Sequence, residues 1–172
     1  MDPISHLPLP LQQNLTAQLL QARDVAVLAV GSELYGDDAV ALRVVELLEP
    51  YVGDGKPIHT FVGAAAPENC TGPIRRLNPS HLIVIDAADL GKPAGTTELL
   101  DPEQLTGVTF CTHALPLNVV IDYILKACPD CKAVVIGVQP LQLEFEKPLS
   151  PPVEAAARGL VNVLVKTLCG PK

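Results

Sequence analysis

The side chains in this sequence that could do chemistry fall into three places: Glu33, Asp37 and Asp38 in one short loop, Asp86 after an apolar run, and His113 ahead of an amphipathic segment. The loop Gly31-Ser-Glu-Leu-Tyr-Gly-Asp-Asp38 follows the apolar run Val25–Val30 and leads into a stretch of helical periodicity. Phosphate-binding turns present glycine amides or a lysine to the anion, and three carboxylates there would repel it. This loop suits a cation. Two carboxylates and an imidazole, Asp38, Asp86 and His113, make an open site for a borderline divalent metal such as zinc or nickel, leaving positions for water or substrate atoms. Each has a plainer reading: Asp38 favouring a helix dipole, Asp86 capping a loop, His113 opening a helix. All three fall at the carboxyl ends of strands in one expected sheet, where ligands bind in open α/β folds. Asp37 points away from Asp38 and reads as structural. Glu33 remains either a ligand or a contact for a charged partner.

Other chemistries fit less well. A nucleophile at Ser32 or Cys111, with His113 and Asp86, lacks the Gly-x-Ser-x-Gly elbow, and Cys111 lies too near His113 along the chain. A dinucleotide site fails on missing glycines and the acidic loop. Cys128-Pro-Asp-Cys131 has a suggestive spacing but follows a helix and precedes a strand, the reverse of the thioredoxin-like order. No further zinc ligands lie near it in sequence, so it reads as a plain loop or an incidental disulfide.

The elements that must position these groups alternate along the chain. Val25–Val30 is expected as a strand buried on both faces, and Asp38 opens a helix with Val40, Val44, Leu47 and Leu48 on its apolar stripe. Pro57–Val62 is a second strand, and Pro67 and Glu68 start a helix reaching Leu77. Leu82–Ile85 is the most hydrophobic strand and is expected to stop at Asp86. Thr96–Leu100 is a strand for a sheet edge. A helix with Leu117, Val120, Ile121, Ile124 and Leu125 inward is expected to take Thr112 as N-cap and Pro116 in its first turn, which puts His113 at its mouth. Ala133–Val138 is the last strand, Leu141–Pro152 a long loop, and Val153, Ala157, Leu160, Leu164 and Leu168 face inward from a final helix. Residues 1–23 read as an amino-terminal extension with a short helix from Leu15, and 24–172 as one domain. This alternation predicts an α/β fold: a three-layer, twisted, mostly parallel sheet with helices on both faces.

Composition narrows the function. The 172 residues, 48 % hydrophobic, suffice for one domain with a sizeable core. A net charge of −7 argues against a nucleic-acid or anionic-membrane surface. No apolar run approaches a membrane span and no signal peptide is evident, so the expectation is a cytoplasmic protein, by default a monomer. Five scattered cysteines argue against a disulfide framework.

Four stretches, Val30–Asp38, Ala65-Ala-Pro-Glu-Asn69, Leu82-Ile-Val-Ile-Asp-Ala-Ala-Asp89 and Thr112-His-Ala-Leu-Pro-Leu-Asn118, together resemble the maturation endopeptidases of nickel–iron hydrogenases. The nearest likeness is to the branch that serves formate hydrogenlyase, and Gly137-Val-Gln-Pro140 agrees with it. The resemblance implies a five-stranded sheet between helices. It implies cleavage of a carboxyl-terminal extension from the large-subunit precursor after nickel insertion. It also implies that Asp38, Asp86 and His113 are the catalytic and metal-binding residues, with the nickel carried by the substrate and other divalent metals able to substitute. Ser32, where the family usually has Asn, and Ala39, where Gly is common, depart from the pattern and leave the three ligands intact. The rival expectation is a nickel-binding chaperone that recognises the same precursor without cutting it.

Overall fold

The computed structural model describes residues 7–102, 105, 109–110 and 116–170. Its centre is β1 (Val25–Val30), buried along its whole length. A run of alternating Val, Ala and Leu with no polar residue is stable only when both faces are covered. β2 (Ile58–Ala64) and β3 (His81–Asp89) pair with it in parallel on either side. β6 (Lys132–Val138) continues the parallel sheet beside β3, and β4 (Thr97–Leu100) closes the far edge antiparallel to β6. The order is β2-β1-β3-β6-β4, the five-stranded, mostly parallel sheet of the sequence reading, with Thr97–Leu100 at an edge as expected. A two-residue strand, β5 (Thr109–Phe110), pairs antiparallel with the end of β3.

Alternation along the strands divides the core in two. Val25, Val27 and Ala29 of β1 and Ile83, Ile85 and Ala87 of β3 face α1 (Leu9–Gln18), α2 (Val40–Leu48) and α5 (Pro151–Leu168). Ala26, Leu28 and Val30, with Leu82 and Val84, face α3 (Thr71–Leu77) and α4 (Leu117–Ala127). Period 2 in the strands and roughly 3.6 in the helices thus produce three layers. Leu15 of α1, and Leu19 just after it, are buried in the first core with α2 and α5. Arg43 of α2 grips Glu154 of α5 through Nε and Nη2, both at 3.0 Å, and Arg158 adds a second cation. Burial alone would raise the Glu154 pKa, but the Arg43 hydrogen bonds and the two positive charges bring it below the usual range. No described helix is long and apolar enough to cross a membrane.

Several boundaries differ from the sequence reading. β3 does not stop at Asp86 but runs to Asp89, because Asp86 and Ala87 pair with Gly137 and Val138 while Ala88 and Asp89 pair with β5. α4 begins at Leu117 with Pro116 as N-cap, at φ −58° and ψ 132°. That extended ψ keeps Pro116 out of the first helical turn, and the apolar stripe starts only after it. Thr112 and His113 lie outside the described residues. α1 starts at Leu9, not Leu15, with Pro10 tolerated in its first turn. Before α2 and α3, Gly36–Ala39 and Pro67–Cys70 form 3-10 turns, so both helices begin a turn late.

Candidate active site

Chemistry-bearing side chains gather where β1 and β3 end. Gly31 follows β1 at φ +132°, and a Cβ added there would lie 2.0 Å from the Asp38 carbonyl oxygen. Only glycine both adopts this conformation and lets the chain return so closely over itself. The returning segment is the 3-10 turn Gly36–Ala39, in which the Asp38 N–H donates to the Tyr35 carbonyl at 3.1 Å. Asp37 and Asp38 are both 0 % exposed.

Asp86 reaches the same place from the neighbouring strand. Ile85 pairs with Ala29, so Asp86, one step on, is level with the end of β1. It is also 0 % exposed and lies on the face of β3 that carries Leu82 and Val84, the face α4 covers. The Asp38 turn packs against β3. The structure therefore brings Asp38 and Asp86 to one end of two paired strands. The third expected ligand, His113, lies outside the described residues, and among those described no three His, Cys, Asp or Glu residues gather as a metal site.

Asp37 has a different task, as its structural reading anticipates. Its Oδ1 accepts the Ser150 N–H at 2.6 Å, and its Oδ2 accepts from Leu141 N (2.7 Å), Gln142 N (3.1 Å) and Ser150 Oγ (2.8 Å). Its own N–H donates to the Gln142 carbonyl at 2.9 Å. Charge-assisted bonds of this kind are the compensation a buried carboxylate requires. They tie the β1–α2 loop to the segment between β6 and α5. Ser150 is the N-cap residue of α5, yet its hydroxyl makes no cap and goes to Asp37 instead. The sequence reading missed this partner, although a serine before Pro-Pro is a helix-start signal.

Gln139 was also missed as a side chain with work at this end. Its Oε1 accepts from Leu90 N at 2.6 Å and Lys92 N at 3.3 Å, and its Nε2 donates to Asp89 Oδ1 at 3.4 Å. It thereby fixes the loop into which β3 runs, three residues beyond Asp86. The signal was its place in Gly137-Val-Gln-Pro140. Ser32, the rejected nucleophile, accepts the Leu34 N–H in a local turn at 3.3 Å, and Glu33 is exposed. Beside them opens a cleft of about 250 Å³ lined by Gly31, Ser32, Glu33, Leu34, Val62 and Ala64, among others. At its edge the β1–β2 register shifts, and Ala64 takes φ +47°. Such bulges and left-handed non-glycine residues collect near functional sites.

The remaining candidates lie away from the site. Cys128 caps α4 and Cys131 precedes β6, at the opposite end of the sheet; both are buried free thiols, in the helix-to-strand order expected. Burial, reinforced by Cys128, pushes the Cys131 thiol up to about 11, which disfavours the reactive thiolate. His81, at the start of β3, is buried with Nδ1 3.0 Å from Ser80 Oγ. Burial and the nearby Lys132 lower its pKa, against a backbone hydrogen bond at Gln18 that raises it.

Comparison with known proteins gives consistent matches. The family model described as HycI, hydrogenase maturation protease, matches residues 42–167, a span that includes Asp86 and His113 and begins just after Asp38. The Hydrogenase 3 maturation protease of Escherichia coli K12 is 30 % identical over 134 residues, covering 76 % of this chain and 81 % of that protein. The crystal structure of a [NiFe] hydrogenase maturation protease HycI from Thermococcus kodakarensis KOD1 superposes with a TM-score of 0.82 at 25 % identity, over 91 % of this chain and 99 % of that one. The solution structure of an endopeptidase HycI from Escherichia coli gives 0.70 at 28 % identity, over 81 % and 87 %.

Proposed function

This chain belongs to the hydrogenase maturation protease family, and from that premise we propose that it removes the carboxyl-terminal extension of a nickel–iron hydrogenase large-subunit precursor once nickel has been inserted. The observation that carries the site assignment is the placement of Asp38 and Asp86, both fully buried, at the same end of paired strands β1 and β3. Hard carboxylate oxygens and an imidazole are a donor set that suits nickel. Asp38 and Asp86, joined by His113, are the residues that would hold nickel already seated in the precursor, and the ion would supply Lewis acidity at the scissile carbonyl. The chain's own part is positional. Gly31 fixes the turn that bears Asp38, Gln139 fixes the segment after Asp86, and a carboxylate accepts the proton of the attacking water. The enzyme acts in this reading as a cytoplasmic monomer.

The test compares nickel-loaded with nickel-free precursor, the lost peptide being read by mass spectrometry. Only the loaded form is expected to be cut, and free nickel given to the enzyme alone is expected not to rescue the empty form. Equal cutting of both would overturn the substrate-borne trigger. Asp38→Asn, Asp86→Asn and His113→Ala are each expected to abolish cutting with the far-UV circular dichroism unchanged. Full activity in any of them would remove that residue from the site. Binding of loaded precursor without shortening by the wild-type protein would identify a chaperone instead.

A further inference from the structure

Large apolar side chains stand exposed in one place more than elsewhere. Among the described residues eleven are exposed, and five of these, Leu34, Tyr35, Leu141, Leu143 and Phe145, belong to the β1–α2 loop and the β6–α5 loop. The two loops form one rim. Asp37 joins them with four accepted hydrogen bonds, the Glu146 N–H donates to the Leu34 carbonyl at 2.8 Å, and the Tyr35 and Phe145 rings meet edge to face at 5.7 Å. Glu146 sits at φ +56°, a conformation that a glutamate keeps only where its surroundings impose it. A rim with this much internal bonding is preorganised, and exposed apolar groups on a rigid support mark recognition surfaces.

Its position says what it recognises. The rim is one residue from Asp38, and at Leu34 it is continuous with the 250 Å³ cleft whose other wall holds Val62, itself 57 % exposed. That volume admits one or two aliphatic side chains, not a folded element. The same loops carry the exposed carboxylates Glu33, Glu144 and Glu146 against a single cation, Lys147, which lies 3.7 Å from Glu144. We infer that the rim and cleft dock an extended segment of the precursor beside its scissile bond, one that places an aliphatic side chain in the cleft and carries lysine or arginine next to its apolar residues. Glu33 is then a contact for that basic flank. This rests on the proposal that the chain acts on such a precursor, and it is independent of which residues hold nickel.

The test measures KM and kcat for nickel-loaded precursor, and its Kd by surface immobilisation of the non-cutting Asp38→Asn protein. Leu141→Ser, Leu143→Ser and Phe145→Ser combined are expected to raise KM and Kd about tenfold or more, while kcat at saturation stays within about twofold. These side chains face solvent, so an unchanged urea midpoint accompanies the result. Glu33→Gln with Glu144→Gln and Glu146→Gln is expected to raise KM several-fold in low salt and little in high salt. An unchanged KM in the apolar triple variant, with the wild type cutting normally, would overturn the docking surface and leave the peptidase reading intact. Unchanged or tighter binding on neutralising the glutamates would overturn the basic flank. Absence of both binding and cutting by the wild type would overturn the parent proposal, and this one with it.

Discussion

Replacing Asp37 by Asn keeps the shape of the side chain and removes its charge, so it isolates what the carboxylate does. The amide oxygen can occupy the Oδ2 position and keep three of the four partners, Leu141 N, Gln142 N and Ser150 Oγ. The amide nitrogen then faces the Ser150 N–H, formerly bonded at 2.6 Å, and two donors oppose each other. Ser150 is buried, so its amide has no water to turn to. Stranding such a donor costs about 1–3 kcal/mol, and each remaining bond weakens by roughly 0.5–1 kcal/mol on losing the charge. Relief of carboxylate desolvation offsets part of this. The net expectation is a loss of about 2–4 kcal/mol, or roughly 4–16 °C in Tm for a chain of this size. That is less than the total stability of most domains, about 5–15 kcal/mol, so the variant remains folded at 25 °C. Urea unfolding followed by far-UV circular dichroism is the assay, since the chain has no tryptophan. Ser150→Ala, which removes only the hydroxyl, is expected to cost about 1 kcal/mol and to be non-additive with Asp37→Asn. A midpoint for Asp37→Asn within about 0.5 kcal/mol of wild type would show that the four bonds do not hold the loops together.

Gly31→Ala introduces a Cβ where only 2.0 Å separates it from the Asp38 carbonyl oxygen, at φ +132°; a loss of about 3 kcal/mol or more and of cleavage is expected, read by urea unfolding and mass spectrometry. Cys128→Ser with Cys131→Ser is expected to leave cleavage unchanged. In the wild type, brief alkylation at pH 8 with peptide mapping is expected to label exposed Cys169, while Cys131, its thiol pushed up to about 11, labels only on unfolding. His81 is held neutral in the folded state, so the unfolded chain binds its proton first as pH falls through about 6.5. Its contribution is complete above that pH and lost below it; urea midpoints at pH 7.5 and 5.5 are expected to differ less in His81→Gln than in wild type.

How far the sequence sufficed depended on the range of the interactions concerned. The strands around Val25–Val30, Leu82–Ile85 and Ala133–Val138, and the stripes of α2, α4 and α5, were legible because hydrophobic periodicity is local and burial follows it. Gly31 and the carboxylates after it marked the loop, and alternation of elements was enough to place Asp38 and Asp86 at the carboxyl ends of a parallel sheet. Asp37 was assigned away from the chemistry by its position beside Asp38, but not to a partner, since Ser150 lies more than a hundred residues on. The end of β3 was misplaced at Asp86 because a carboxylate reads as a stop, whereas Gly137 and the two residues of β5 supply the pairing that continues the strand to Asp89. The start of α4 was misplaced because a proline is compatible with a first turn, and only the backbone at Pro116 decides against it. The acidic, apolar rim was invisible in sequence, because its two loops lie about a hundred residues apart and meet only when a buried carboxylate bonds across the fold.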